Sequence, residues 1–315
     1  MTAPARGAHV QGTAEWVPLP DGRRLYAMVL PGARPDTPTV VFEAGAGAGR
    51  SSWALVQPAL APYARTVVYD RAGLGRSAPD PAGRTLSRMA DDLGALLDHF
   101  GPGPHVLVGH SAGGPLVRLA AARAPRRIAG LVLVDPTDEA ADVLFSGRFR
   151  RMERMALGLG SALAALRLLR PLFRGQLALL PEDARRDMAR EGFTTGVLRT
   201  QRRQARTYLD ELAAWRETPP ETGDIPVTVI SGGLPGDGMD DAVRAAANAA
   251  HAARAGRRPK GRHVIAGKSG HYVPLTEPEV VVREIVALLP DLPDQPDLLG
   301  TGKRKGPDSE EPGPL

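Results

Sequence analysis

The residues whose types and spacing could do chemistry lie between residues 105 and 123. An apolar run at 106–108 leads into Gly-His-Ser-Ala-Gly at 109–113, after which apolar residues recur at helical spacing. This order predicts a strand, an abrupt turn and a helix. Small residues at 109, 112 and 113 allow a turn tight enough to hold Ser111 in a strained conformation, with its hydroxyl pointing away from the sheet. The pattern therefore predicts nucleophilic catalysis by Ser111.

A serine nucleophile needs a base, because an unassisted hydroxyl reacts poorly near neutral pH, and the base needs an orienting acid. Of the seven histidines, His271 alone follows a predicted strand in a glycine-flanked loop late in the chain. The others fall in the leader, at helix or strand ends, on the turn itself or on an alanine-rich helix: His9, His99, His105, His110, His251 and His263. His271 is therefore a candidate base, and with a histidine as base activity should fall as pH drops through its range, about pH 5 to 8.

Three motifs together resemble the α/β-hydrolase superfamily. They are Gly-His-Ser-Ala-Gly-Gly at 109–114, Asp-Arg-Ala-Gly-Leu-Gly-Arg-Ser at 70–77 and Ser-Gly-His at 269–271, and the resemblance runs from about residue 13 to about residue 289. It implies the α/β-hydrolase fold, with a mostly parallel central sheet flanked by helices, and catalytic groups in the chain order Ser, acid, His. This order requires a base late in the chain, so the resemblance implies that His271 is the base. It also implies that residues 70–77 form a structural turn and supply no catalytic residue.

The acid is predicted to be Asp135, with Asp237 as the alternative and Asp138 third. The superfamily uses two positions for this acid: the end of the strand after the nucleophile helix, and the loop after the next core strand. Asp135 directly follows the apolar run at 128–134, where a carboxylate can reach the histidine from a rigid element. At the later position the superfamily usually has a strand followed by Gly, two further residues and then Asp. Asp237 comes one residue later than this spacing and lies in a Pro- and Gly-rich loop.

The loop at 44–49, Ala-Gly-Ala-Gly-Ala-Gly, follows a buried-type strand at 39–43. Alternating glycines after a strand can indicate a dinucleotide site, but the third glycine spacing of that motif is missing. The resemblance implies instead that this loop supplies an oxyanion-hole N–H from Ala46, paired with the N–H of Ala112. No cofactor and no metal follow from this chemistry.

The order of predicted elements divides the chain into four parts. Residues 1–12 are predicted to be a flexible leader, 13–136 and 224–289 the α/β-hydrolase core, and 290–315 a disordered tail rich in Pro, Gly and charge. Residues 137–223 read as helices without a strand, which predicts a helical cap inserted after the strand that ends at Asp135. Most of its apolar residues should pack between helices, and a minority around 155–173 should contact an apolar part of the substrate.

Composition excludes several classes of protein. The 315 residues are 43% hydrophobic and include no cysteine, so disulfides, a cysteine nucleophile and cysteine metal sites are impossible. The N-terminus has no signal-type apolar stretch and no segment reaches the roughly 18 apolar residues of a membrane span, so we expect a cytoplasmic protein. The net charge of +5 is spread over alternating charges, and we expect no nucleic-acid partner.

The leading prediction is a carboxylesterase-like serine hydrolase. It would cleave a carboxylic ester, thioester or lactone of a small, partly apolar acyl substrate through an acyl-enzyme on Ser111. The related dehalogenases and epoxide hydrolases place Asp at the nucleophile position, so Ser111 argues against both. Two alternatives stay open: acyl transfer to an alcohol or amine with the same residues, which depends on water exclusion, and a ligand-binding receptor with little turnover. The sequence carries no signal for the oligomeric state.

Overall fold

A computed structural model describes residues 8–34 and 36–290. Its centre is one eight-stranded sheet in the order β1-β2-β4-β3-β5-β6-β7-β8. The strands are β1 Thr13–Pro18, β2 Arg24–Leu30, β3 Thr39–Glu43, β4 Thr66–Asp70, β5 His105–His110, β6 Ile128–Val134, β7 Val227–Gly232 and β8 Gly261–Ala266. The first two strands pair antiparallel and β2 joins β4 antiparallel, whereas all pairs from β4 to β8 are parallel. The predicted α/β-hydrolase fold is confirmed.

Helices cover both faces of the sheet, and this explains why its central strands are apolar without alternation. In the described residues the α-helices are α1 Leu86–His99, α2 Gly113–Arg123, α3 Gly147–Ala165, α4 Leu169–Leu172, α5 Arg174–Leu179, α6 Glu182–Glu191, α7 Thr195–Gln204, α8 Tyr208–Ala214, α9 Asp241–Gly256, α10 Val273–Thr276 and α11 Pro278–Val286. Side chains of α1, α2 and α9 pack on one face of the sheet. Side chains of α11 and of the turns after β3 pack on the other face.

The segment 137–223, here called the helical insertion, connects β6 to β7 and includes α3 to α8. A buried arginine joins it to the rest of the chain. Arg50, only 1% exposed, forms ion pairs with Asp70 at the end of β4 (2.5 Å) and with Asp187 (2.5 Å) and Glu191 (2.7 Å) of α6. The insertion is thereby fixed over the carboxyl ends of the parallel strands, where ligands bind in open α/β sheets.

Two local sequence patterns predict helical features that the structure does not have. Ser51 or Ser52 before the apolar residues that run to Leu60 predicts a capped helix. The chain instead forms a pair of 3₁₀ turns, Arg50–Trp53 and Pro58–Leu60, because Pro58 has no N–H to continue a helix. Thr276, with Glu279 three residues later, predicts an N-cap and capping box for the closing helix. That helix begins at Pro278 and has no capping hydrogen bond from a side chain, and Thr276 ends α10.

The structure describes part of the predicted leader and almost none of the predicted tail. Gln11, placed in the flexible leader, is fully buried, and its amide nitrogen donates to the carbonyl oxygen of Arg50 (3.0 Å). The predicted disordered tail lies outside the described residues except for Pro290. Among the helices described, none combines the length and the apolar character that a membrane crossing requires.

Candidate active site

Ser111 lies on the sharp turn between β5 and α2. Its φ of 52° is in the left-handed region that a residue with a side chain rarely adopts, and its N–H donates to the carbonyl oxygen of Val134 (3.0 Å). Neighbouring glycines make the turn possible. A Cβ on Gly109 would approach the Gly113 carbonyl oxygen to 2.7 Å, and a Cβ on Gly113 would approach that of Glu43 to 2.6 Å. Only glycine fits at these two positions.

The structure brings Ser111, His271 and Asp135 together. His271 lies in the loop after β8, and its Nε2 is 2.9 Å from the Ser111 Oγ. Its Nδ1 is 2.6 Å from the Asp135 Oδ2. Asp135 follows β6 directly at a φ of 41°, and its other carboxylate oxygen accepts the N–H of Gly232 (3.1 Å). A base between a hydroxyl and a buried carboxylate is the arrangement that activates serine nucleophiles.

The two alternative acids contact other groups. The Asp237 carboxylate accepts the backbone N–H of His271 (3.2 Å) and makes no hydrogen bond to its ring. Asp138 is buried and forms an ion pair with Arg254. The geometry therefore favours Asp135 as the acid. Asp237 instead helps to position the backbone of His271.

Asp135 stays ionised although it is buried. Burial opposes its charge, but hydrogen bonds from His271 and from Arg244 Nη1 (2.6 Å) outweigh this and hold the pKa of the carboxyl below its usual range. Arg244 is 3% exposed and lies on α9. A permanently ionised acid can fix the tautomer of His271 with Nδ1 protonated, which leaves Nε2 free to accept a proton from Ser111.

Sequence reasoning missed Arg244 and His110. Arg244 is one arginine on an alanine-rich helix, 109 residues from Asp135, and no local pattern distinguishes it from a surface residue. His110 is buried, and its Nε2 donates to the carbonyl oxygen of His271 (2.9 Å). Burial, with a smaller contribution from His271, lowers the pKa of His110 to about 3, so this ring is neutral and positions the backbone of the candidate base.

The two amides expected to form the oxyanion hole are free to donate. Ala46 and Ala112 line one narrow passage together with Ser111, and within the described residues neither backbone N–H reaches an intramolecular acceptor. Arg71 stabilises the loop that includes Ala46, because its guanidinium donates to the carbonyl oxygen of Gly45 (2.5 Å). Residues 70–77, expected to be purely structural, therefore support the oxyanion side of the site through Arg71.

Two cavities meet at Ser111. The larger, about 570 Å³, also includes His271 and has mostly apolar surface, so we call it the apolar arm, although carboxylates also line it: Asp135, Asp138, Glu153, Asp237 and Asp240. Its main apolar side chains are Ala141, Val143, Leu144, Phe149, Met152 and Val243. The smaller, about 230 Å³, is the passage that includes Ala46 and Ala112 but not His271. The cleft thus extends from the nucleophile in two directions.

The expected substrate contacts around residues 155–173 are largely absent from this cleft. Within that range only Ala156 and Leu157 line the two cavities. Met155 and Leu159 of α3 are 68% and 63% exposed, because the helix turns Leu157 inward and these neighbours outward. The cleft instead uses residues closer to the start of the insertion, such as Leu144 and Phe149.

No metal centre accompanies the site in the part of the chain described here. Among residues 8–34 and 36–290, His, Asp and Glu do not gather in any group of three placed to hold an ion. A second serine–histidine contact, Ser231 Oγ to His251 Nδ1 (2.7 Å), involves a fully buried serine. Ser231 cannot meet a substrate, so Ser111 is the candidate nucleophile.

The sequence pattern of one family, described as the alpha/beta hydrolase fold, matches residues 38–278. The chain belongs to this family. A relative from Caulobacter sp. (strain K31), named "Putative carbamate hydrolase RutD", is 39% identical over 114 residues, 35% of this chain and 42% of its own. A Gibberella zeae protein named as an AB hydrolase superfamily member is 37% identical over 35% of each chain. This chain therefore aligns with less than half the length of these two relatives.

Solved structures with a similar fold match almost the whole chain. The epoxide hydrolase CorEH has a TM-score of 0.65 and 18% identity, over 88% of this chain and 98% of its own. A thermophilic esterase from Thermogutta terrifontis has a TM-score of 0.62 and 23% identity, over 87% and 97%. At such identities the likeness establishes the fold, and the reaction has to be argued from the site.

Proposed function

We propose that this chain is a serine hydrolase that cleaves a carboxylic ester, or a thioester or lactone, through an acyl-enzyme on Ser111. The observation that carries the proposal is the unbroken hydrogen-bonded series from the Ser111 hydroxyl through the His271 ring to the Asp135 carboxylate, at 2.9 and 2.6 Å. Membership of the hydrolase family supports it. A carbamate is a further candidate substrate, because one relative is named as a putative carbamate hydrolase and the same attack on a carbonyl applies.

In the proposed reaction His271 takes the Ser111 proton while Oγ bonds to the substrate carbonyl carbon. The N–H groups of Ala46 and Ala112 stabilise the oxyanion that develops there. When the tetrahedral intermediate collapses, His271 returns the proton to the leaving oxygen or sulfur, and the acyl group stays on Ser111. Water activated by the same ring then attacks the acyl-enzyme and releases the acid. Asp135 stabilises the imidazolium in both halves of the reaction.

The helical insertion is proposed to act as a cap over a core formed by 13–136 and 224–289. In support, Phe149 and Leu157 of α3 and Tyr208 of α8 line the cavities at Ser111, while every reacting group belongs to the core. Acyl transfer stays the alternative, since it needs the same groups and an acceptor other than water. We also keep a cytoplasmic location as a proposal, compatible with the lack of cysteine.

The test is active-site labelling followed by turnover. A fluorophosphonate should label Ser111 alone, because activation needs the base and the oxyanion amides together. Peptide mapping that finds the adduct on Ser52 or Ser77 would refute the assignment. A panel of nitrophenyl esters, thioesters and carbamates, with and without an alcohol acceptor, then separates hydrolysis, transfer and simple ligand binding.

A further inference from the structure

A third cavity, of about 890 Å³, lies between α3 and α7 of the helical insertion, and we call it the arginine cavity. The basic residues that line it are Arg150, Arg154, Arg199, Arg202, Arg203 and Arg206. Six arginines against one acidic residue, Glu153, leave a formal excess of five positive charges. The four arginines from 199 onward follow the spacing of one helix face, so this face of the α7 segment is turned toward the cavity.

Most of these guanidinium groups have no anionic partner. Arg150 forms an ion pair with Asp210 (2.7 Å), but no carboxylate of the described residues lies within 4 Å of the other five. Like charges held together repel one another, and an anion that enters relieves the repulsion. The planar fork of arginine also matches carboxylate and phosphate groups with two parallel hydrogen bonds. The chemistry of the lining therefore fits an anionic group.

The opposite face of α7 is anchored to the core, so the arginines project from a fixed support. Thr200 Oγ1 donates to the carbonyl oxygen of Gly73 (2.9 Å). Gln201 Nε2 donates to the carbonyl oxygen of Ala46 (3.0 Å). The helix that presents the arginines is thus hydrogen-bonded to the very loop expected to supply an oxyanion amide.

The arginine cavity adjoins the passage that reaches the nucleophile. The two share Glu153, Leu157, Ala205 and Leu209 in their linings. Glu153 lines the apolar arm as well, so it stands where all three cavities meet. Its carboxylate disfavours a second anion close to Ser111, whereas the arginines beyond Leu157 favour one.

The position of His271 decides which end of a substrate points toward the arginines. His271 lines the apolar arm and not the passage. The proposed reaction requires His271 to protonate the leaving atom, so the leaving group occupies the apolar arm. The acyl group then extends from the oxyanion amides through the passage toward the arginine cavity.

We infer that the preferred substrates are esters whose acyl group ends in a carboxylate or phosphate, which the arginine cavity binds while the carbonyl carbon lies at Ser111. This inference rests on the proposed function, since it assigns the substrate class of the same site. The apolar arm would accept an uncharged alcohol, and the acid released would carry two anionic ends.

Matched substrates test the inference. One series consists of dicarboxylic acids from glutarate to suberate with one carboxyl group esterified to 4-nitrophenol and the other free. The neutral control for each keeps the 4-nitrophenyl ester and has the free carboxyl group converted to its methyl ester. A parallel series ends the same acyl chains in a phosphate. We expect kcat/KM for the best anionic ester to exceed that of its neutral partner by about tenfold at low salt. The ratio should decline as salt screens the arginines.

A double variant locates the effect. Arg199→Gln/Arg202→Gln should reduce the anionic-to-neutral ratio by about tenfold, mainly through a higher KM for the anionic ester. The control, Arg185→Gln/Arg257→Gln, removes the same charge from exposed positions outside all three cavities and should keep the ratio. Rates of fluorophosphonate labelling show that the nucleophile is intact in both proteins.

The outcomes separate this inference from the proposed function. If Ser111 is not labelled and no ester is turned over, the proposed function fails. If neutral esters are hydrolysed and neither anionic series is preferred, the proposed function stands and the arginine cavity is not an anion subsite. Equal losses of the ratio in the cavity variant and in the control would also overturn the inference, because overall charge would then be the cause.

Discussion

The two sides of the cleft are built in different ways. On the core side, Ser111 and Asp135 are held at strand ends by strained backbone and by hydrogen bonds, and Asp135 is almost completely buried. On the insertion side, α3 and α7 present long side chains of which many are exposed. Bond-breaking chemistry needs groups fixed to a fraction of an ångström, whereas charge recognition tolerates mobile side chains. We therefore expect the core to carry out the reaction and the insertion to select the substrate.

The largest effect should separate the core acid from its neighbour. Asp135→Asn should lower kcat by about 10⁴-fold, because the amide cannot stabilise the imidazolium and favours the wrong tautomer of His271. The Asp237 carboxylate accepts only the backbone N–H of His271 and no hydrogen bond from its ring. Asp237→Asn should therefore keep kcat within about tenfold of that of the unsubstituted protein. Steady-state kinetics on equally folded proteins provide the comparison. Collapse in the second variant with near-normal turnover in the first would give the acid role to Asp237.

A second experiment removes Arg50, the buried arginine whose ion pairs connect the helical insertion to the core. Arg50→Met leaves the carboxylate of Asp70 buried without its main cation, so we expect a loss of about 3–5 kcal/mol in the free energy of unfolding. Denaturant titration measures it. The matched control is Arg186→Met, whose ion pair with Glu182 is 70% exposed on both sides and should contribute under about 1 kcal/mol. Equal losses of unfolding free energy in the two variants would mean that the buried ion pairs of Arg50 stabilise the protein no more than an exposed pair does.

A third experiment concerns the charge on the acid. The hydrogen bond from Arg244 helps to lower the pKa of Asp135, and a less basic carboxylate stabilises a protonated His271 less strongly. Arg244→Met should therefore make the ring easier to protonate and move the acidic limb of kcat/KM to higher pH by about one unit. The control Arg262→Met removes a charge from a side chain that is 61% exposed and pairs with Glu284. An unmoved limb would show that Arg244 is only a packing residue.

The three side chains predicted from the sequence for the core side lie within hydrogen-bond distance of one another, and each belongs to a recognisable local pattern. Ser111 lies on the turn between a strand and a helix with obligatory glycines, Asp135 directly follows an apolar strand, and His271 lies in the loop after the last strand. Arg244 and His110 could not be found, since their partners are brought close only by the sheet order and by helix packing. The spacing of apolar residues along the sequence does not show which residues distant in the chain come into contact.

The insertion shows why the other side was harder to predict. Helical spacing of apolar residues on α3 correctly indicates a helix, but the same helix has an apolar row on each side. Met155 and Leu159 face outward, while Leu157 and Ala164 face inward. Spacing alone cannot tell which row meets the cleft, because that depends on how α3 packs on α7 and on the core. The predicted contacts were therefore assigned to too long a range.

The smallest expected effect tests this distinction between rows on one helix. Leu157 lies in the wall shared by the passage and the arginine cavity, so Leu157→Phe should narrow the route of the acyl chain. We expect kcat/KM for a long acyl nitrophenyl ester relative to a short one to fall by about threefold to tenfold, with turnover of the short ester maintained. Leu159→Phe is the control two residues away, since its side chain is exposed and reaches neither cavity. If both variants shift acyl-length preference equally, α3 acts through its stability or motion; a shift in Leu157→Phe alone assigns selection to the inward row.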